Sequence, residues 1–197
     1  RVDLIIAFSA PAVRAVQQAA PAMPVVMLGN FDPVALGLVA SLARPGGSIT
    51  GVLIAPDGTL AGKRLELLKV AVPQARRVAY LSPPADASTR LQLHEASQAA
   101  ATLGIELSAV EVADGDYARA FEAMAARRPQ ALLVAAHTFF VRDRAQIIAL
   151  AAQHKLPATY EWREQVVDGG LMAYSTSLYG LMQRLAWYVE RILKGAK

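Results

Sequence analysis

Short, continuous apolar runs alternate with stretches of helical period along the whole chain, and this alternation constrains the fold more than any other feature. Leu4 to Phe8, Val25 to Leu28, Arg77 to Leu81 and Ala131 to Ala135 have the length and composition of strands buried on both faces. Between the first two, Ser9 is placed to cap a helix with Pro11 in its first turn, Val13, Val16 and Ala20 forming its buried stripe, and Pro21 and Pro24 closing it. Strand, helix and strand at this spacing form a crossover unit of a parallel sheet.

The pattern continues with two interruptions. Arg44-Pro45-Gly46-Gly47 breaks it after a short helical patch that follows Asp32-Pro33, and a β-like run from Ser48 to Leu53 comes next. Asp57 or Thr59 can then cap a helix from about Leu60 to Val70, with Leu60, Leu65, Leu68 and Val72 on the apolar side and Lys63, Arg64, Glu66 and Lys69 facing outward. A helix from Ala87 to Leu103 ends at Gly104, Ile105 to Val112 alternates as a strand, and Asp114-Gly115-Asp116 turns into a helix from Tyr117. A helix spans Arg142 to Gln153, Pro157 to Tyr160 is strand-like, and Glu161 to Asp168 is a loop or one helical turn. Gly169-Gly170 is the second break, before a strand from Leu171 to Tyr174 and a final helix begun by Ser175 or Ser177. These breaks predict two Rossmann-like α/β lobes with parallel sheets. A partial N-terminal lobe comes from residues 1–52 plus 170–197, and a complete C-terminal lobe from 53–169.

Composition narrows the function. At 197 residues and 54% hydrophobic, the chain can build a substantial core, and it has no apolar run of the ~20 residues that a membrane helix requires. Its net charge of +4 is spread along helices without interleaved aromatics, which argues against nucleic acid. The absence of cysteine excludes disulfides, thiolate nucleophiles and cysteine-zinc sites. The first strand-to-helix turn, Phe8-Ser9-Ala10-Pro11, is no dinucleotide fingerprint, and Gly46-Gly47 precedes a strand where a phosphate loop would follow one. Ser9, Ser82 and Ser175 lack the flanking glycines of a nucleophile elbow. His94 and His154 fall within helices, and Asp114 and Asp116 read as turn and cap. No metal site or catalytic constellation emerges.

Polar and aromatic residues instead recur at the C-terminal ends of strands, the ligand-binding edge of an open parallel sheet. They are Ser9, Asp32 beside Asn30, Ser82, His137 with Thr138, Tyr160 with Glu161, and Tyr174 with Ser175. Each also has a purely structural reading: Ser9 and Asp32 as caps, Tyr174 as core. Phe139, Phe140, Tyr160 and Trp162 can wall an apolar or aromatic ligand, while Phe140 and Trp162 can equally well cover the core.

Asp32-Pro33-Val34, Gly37 to Gly47 and Ile49-Thr50-Gly51 closely resemble a signature of ABC-transporter substrate-binding proteins of the type I periplasmic binding protein fold. The resemblance is to the family that includes tryptophan and phenylalanine binders. Gly62 to Lys69, Gly169 to Met172 and Tyr188 to Gly195 also fit its pattern. The resemblance implies a non-enzymatic, cofactor-free receptor, periplasmic or lipid-anchored, that closes two lobes on a small organic solute and delivers it to an ABC permease. Ser9, Asp32, Ser82, His137, Thr138, Tyr160, Glu161 and Tyr174 would contact the solute. Ser9 would take an anionic group, and Asp32 or Glu161 a cationic or hydroxyl group. The family has further residues upstream, so the first lobe is expected to be incomplete and its open edge to pair with a second chain. His137-Thr138-Phe139-Phe140 stands where aromatic amino-acid binders tend to carry an Asp-Asn pair, and Ser82-Pro83-Pro84-Ala85 lacks the polar pair often found there. The sequence leaves two other readings open: a small α/β enzyme, or the effector-binding domain of a transcription regulator with a helix-turn-helix upstream.

Overall fold

A computed structural model describes residues 2–55, 60–85 and 87–196. In chain order the elements are β1 (Ile5–Ala7), α1 (Ala10–Ala19), β2 (Val25–Gly29), β3 (Ile49–Leu53), α2 (Ala61–Ala71), β4 (Arg77–Ser82), α3 (Ala87–Leu103) and β5 (Glu106–Glu111). They continue with α4 (Tyr117–Ala125), β6 (Ala131–Val134), α5 (Thr138–Arg142), α6 (Arg144–Gln153), β7 (Ala158–Tyr160), α7 (Arg163–Val167), β8 (Met172–Ala173) and α8 (Leu178–Leu193). The chain divides into two compact units, Arg1–Gly58 with Thr176–Lys197, and Thr59–Ser175.

The first unit holds a parallel sheet in the order β1-β2-β3. Its core joins Val13 of α1 to Ala7, Val25, Met27 and Ile49 of the strands and to Leu38 and Val39 from the β2–β3 connection. Ser9 caps α1 by accepting a hydrogen bond from the Ala12 N–H (3.3 Å). Gly51 pairs with Met27 in the β2–β3 ladder, where any Cβ would lie 2.0 Å from the Met27 carbonyl oxygen. This close approach explains a glycine in the middle of a strand.

The second unit is a five-stranded parallel sheet ordered β5-β4-β6-β7-β8. Central β6 is wholly buried, and its cluster gathers Leu65 and Leu68 of α2, Phe121 and Met124 of α4, and Ile147 of α6 around Tyr80, Leu81, Leu132 and Leu133. The parallel α/β class read from the alternation is the observed one. Among the described residues no helix is long and apolar enough to cross a membrane, and no group of His, Asp or Glu can hold a metal ion.

β3 continues the first sheet, so the chain leaves it after Leu53 and the Pro-Gly-Gly stretch is a loop within the first unit. Three local expectations are corrected. The second sheet likewise keeps the strand after Gly169-Gly170, because β8 pairs with β7 (Thr159 with Met172, Tyr160 with Ala173), and the return to the first unit follows Ser175. The patch after Asp32 is a series of turns rather than a helix. Asp32 Oδ1 accepts the Val34 and Ala35 N–H groups (2.9 and 3.0 Å), and Gly37 then adopts a φ of +68°. Lastly, Arg64 lies on the buried face of α2 at 1% exposure, in line with Ala61, Leu65 and Leu68. The caps proposed for α2 at Asp57 or Thr59 fall outside the described residues.

Candidate functional site

In the second unit, the sheet order fixes the sequence of side chains along the C-terminal edge. Ser82 ends β4, His137 and Thr138 follow β6, Tyr160 and Glu161 close β7, and Tyr174 follows β8. The structure therefore brings six of the eight residues singled out in the sequence to one edge, at four consecutive strands. Ser9 and Asp32 end β1 and β2 in the other unit.

The six differ in what they offer a ligand. Ser82 is buried and donates its hydroxyl to the Pro83 carbonyl (2.9 Å), so it serves its own loop. His137 caps α5, its Nδ1 accepting the Phe139 N–H (3.3 Å), and its ring stands edge-on to Phe139 (4.6 Å) and Phe140 (6.3 Å). Thr138 is exposed. Tyr160 is 1% exposed, its phenol pushed up to about 12 by burial, and a Cβ on Gly170 would meet its ring at 2.8 Å. That side chain belongs to the core, held there because only glycine fits opposite it. Tyr174 is 40% exposed, tied to the edge by its N–H, which donates to the Tyr160 carbonyl (3.2 Å).

Glu161 is the electrostatic centre of this edge. It is 6% exposed, and burial raises its carboxyl to about 7, against the opposing pull of the Arg64 guanidinium and of a hydrogen bond with Trp162. The aromatic neighbour missed as a primary candidate is Phe139. On the first turn of α5 it is half exposed, with His137 against one side and the Arg142 guanidinium 5.3 Å from its centroid. Arg142 is held in turn by two bonds to Asp143 (2.6 and 2.7 Å), which also accepts the Tyr117 hydroxyl (2.6 Å). These donors hold the Asp143 carboxyl down at about 2. Phe140 and Trp162 turn inward, at 1% and 7% exposure.

In the first unit, Ser9 and Asp32 spend their side-chain oxygens on backbone N–H groups, as caps do. A cavity of about 230 Å³ lies against β3, lined by Val39, Leu42, Thr50 and Val52 together with Arg184 and Tyr188 of α8. Neither Ser9 nor Asp32 lines it.

The model of the ABC transporter substrate binding protein family matches residues 1–197. The chain belongs to that family. A tyrosine-binding protein of Clostridioides difficile (strain R20291) is 34% identical over 91 residues, a match spanning 46% of this chain and 26% of that relative. The ABC domain of Streptococcus pneumonia in complex with L-Trp superposes with a TM-score of 0.84 at 24% identity, over all of this chain and 67% of the other. A conserved domain protein of Vibrio cholerae gives 0.85 at 23% identity, over 99% of this chain and 65% of its own. At these identities the two structures establish the fold, a type I periplasmic-binding-protein-like arrangement of parallel sheets. The chain spans about a quarter of that curated relative's length and about two thirds of each of these two structures.

Proposed function

We propose that this chain captures a small aromatic solute bearing a hydrogen-bond donor, an aromatic amino acid foremost, without chemical conversion. The observation that carries the reading is the order along the β6-β7-β8 edge: a buried carboxylate, Glu161, between strand ends that present two exposed rings, Phe139 and Tyr174. An exposed ring offers a stacking surface, and a carboxylate screened from water binds an ammonium or hydroxyl group more strongly than one in solvent does. The tyrosine named for one relative and the L-Trp bound by a structural neighbour fit the same chemistry. Thr138 at the start of α5 completes the polar rim. Ser82 and Tyr160 shape the edge from beneath, and Ser9 and Asp32 hold the backbone at the strand ends of the other unit.

As a family member the protein would hand its solute to an ABC permease and work outside the cytoplasm. Calorimetry with L-tryptophan, L-tyrosine, L-phenylalanine and hydroxybenzoates tests the reading. Saturable binding that weakens about tenfold in Phe139→Ala and in Glu161→Ala is expected. An absence of binding across the panel, or binding indifferent to both substitutions, overturns it. A second copy paired along β1, an edge strand with Ile6 and Phe8 exposed, is the finer reading of its partners. Sedimentation is expected to show a dimer that Ile6→Lys dissociates, and a concentration-independent monomer would refute it.

A further inference from the structure

Between α5 and α6 a side chain placed to cap a helix does something else. Asp143 is the C-cap of α5 and the N-cap of α6, yet its carboxylate makes no capping bond. An N-cap aspartate ordinarily accepts from backbone N–H groups of the first turn. Here Oδ1 accepts from Arg142 Nε (2.6 Å), and Oδ2 accepts from Arg142 Nη2 (2.7 Å) and from the Tyr117 hydroxyl (2.6 Å). Adjacent residues on a continuous helix point apart, so a pair of this kind needs the break that separates the two helices at Asp143.

One end of this series of bonds is anchored in the core. Tyr117 opens α4 and is buried, and its ring meets the buried Phe140 edge-on at 6.0 Å. The other end is open. The Arg142 side chain is 69% exposed, Asp143 engages two of its five N–H donors, and Nη1 has no partner among the described residues. An exposed ion pair contributes little to stability and orders a long side chain against its entropy. Stability therefore does not account for a guanidinium gripped at two points and backed by a buried tyrosine. What the grip does fix is direction. The Arg142 guanidinium carbon lies 5.3 Å from the centroid of Phe139, the half-exposed ring that follows the β6 exit.

We propose that Arg142 binds a carboxylate of the solute, with Asp143 and Tyr117 as its positioning residues, and that the solute class is accordingly aromatic acids, aromatic amino acids included. The inference rests on the solute-capture reading above and supplies the anion-binding group. The sequence assigned that role to Ser9, whose oxygen is already engaged with the Ala12 N–H. With Nη1 and one N–H of Nη2 free, the guanidinium still presents a fork that matches a carboxylate. Paired aromatic rings sit about 4.5–7 Å apart between centroids, so a ligand ring against Phe139 brings an acid group a few bonds away within reach of Arg142. Strands β6 and β7 are neighbours in the sheet. Their exits thus offer a cation and, in Glu161, a carboxyl, the two groups that a zwitterionic amino acid needs.

The test is calorimetry with L-tryptophan against L-tryptophanamide, which keeps the ring and replaces the carboxylate with a neutral amide, at about pH 6, where both carry an ammonium. The protein is expected to prefer the acid by about tenfold or more. Arg142→Met is expected to bring the two affinities within about twofold by weakening the acid alone, and Arg142→Lys to keep part of the preference. Asp143→Asn and Tyr117→Phe leave the guanidinium in place but loosen it, and are expected to reduce the preference by about threefold. Damage to the fold weakens both ligands alike, so the ratio separates binding from structure. A ratio unchanged in Arg142→Met, or a wild-type protein with no preference for the acid, overturns the proposal, and a ratio unchanged in both Asp143→Asn and Tyr117→Phe overturns their positioning role. If neither ligand binds, the solute-capture reading fails for aromatic amino acids, and a benzoate titration followed on the Arg142 side-chain N–H resonances decides the present one. A saturable shift supports it, and the absence of one refutes it.

Discussion

Glu161 and Arg64 show how position in the fold changes what a residue type means. An arginine in an amphipathic helix reads as solvent-facing and a glutamate after a short strand as a ligand contact at a strand end, yet both are more than nine-tenths buried. The stability consequence for Glu161 has a definite sign. Its carboxyl is raised from an ordinary 4.5 to about 7, so between those values the folded state keeps a proton that the unfolded chain has released. Stability therefore falls as pH rises from about 4.5 to about 7, and then levels off. Urea titrations at pH 5 and pH 8 are expected to show this loss, up to a few kcal/mol, and Glu161→Gln is expected to remove most of it. Gly51 gives a second residue-scale prediction. With a Cβ built 2.0 Å from the Met27 carbonyl oxygen, Gly51→Ala must separate β2 from β3, at a cost of about 2–3 kcal/mol in equilibrium unfolding.

At the scale of elements, most helices and strands were legible because their signals are local. Ser9, Asp116 and Ser177 cap α1, α4 and α8 as their residue types predict. Ser9→Ala is expected to cost about 1 kcal/mol in thermal or urea unfolding with no ligand present, which separates its capping from any role in binding. The misread elements are those whose identity depends on partners. The turn series after Asp32 begins as a helix does, with a capping aspartate, but Gly37 at positive φ diverts it. Helix α5 was hidden because one turn has no period to detect; its C-cap Asp143 is bonded locally by Arg142 and from a distance by the Tyr117 hydroxyl. Tyr117→Phe is expected to cost about 1–2 kcal/mol and to let the Asp143 carboxyl rise from about 2 toward its ordinary value. Chemical denaturation and the ¹³C titration of Asp143 measure the two effects.

At the scale of the whole chain, two cores with no residue in common sit in separate units, one around Val13 and Ile49, the other around Leu133 and Phe121. Leu133→Ala, at the centre of the larger sheet, is expected to cost about 2–5 kcal/mol. Amide exchange should rise through β4 and β6 while β2 and β3 keep their protection. The sequence by itself determined the parallel α/β class, the family and the strand ends at which polar and aromatic residues gather, because apolar runs, capping residues and motif spacing are written in neighbouring positions. Only the tertiary structure decided where the chain passes between units, since Met172 and Ala173 take their partners from β7 and not from the glycine break before them. The same holds for the buried Arg64–Gln92 pair. Its two members lie on α2 and α3, 28 positions apart in the chain, and the cost of burying a charge depends on which side chains the fold places around it.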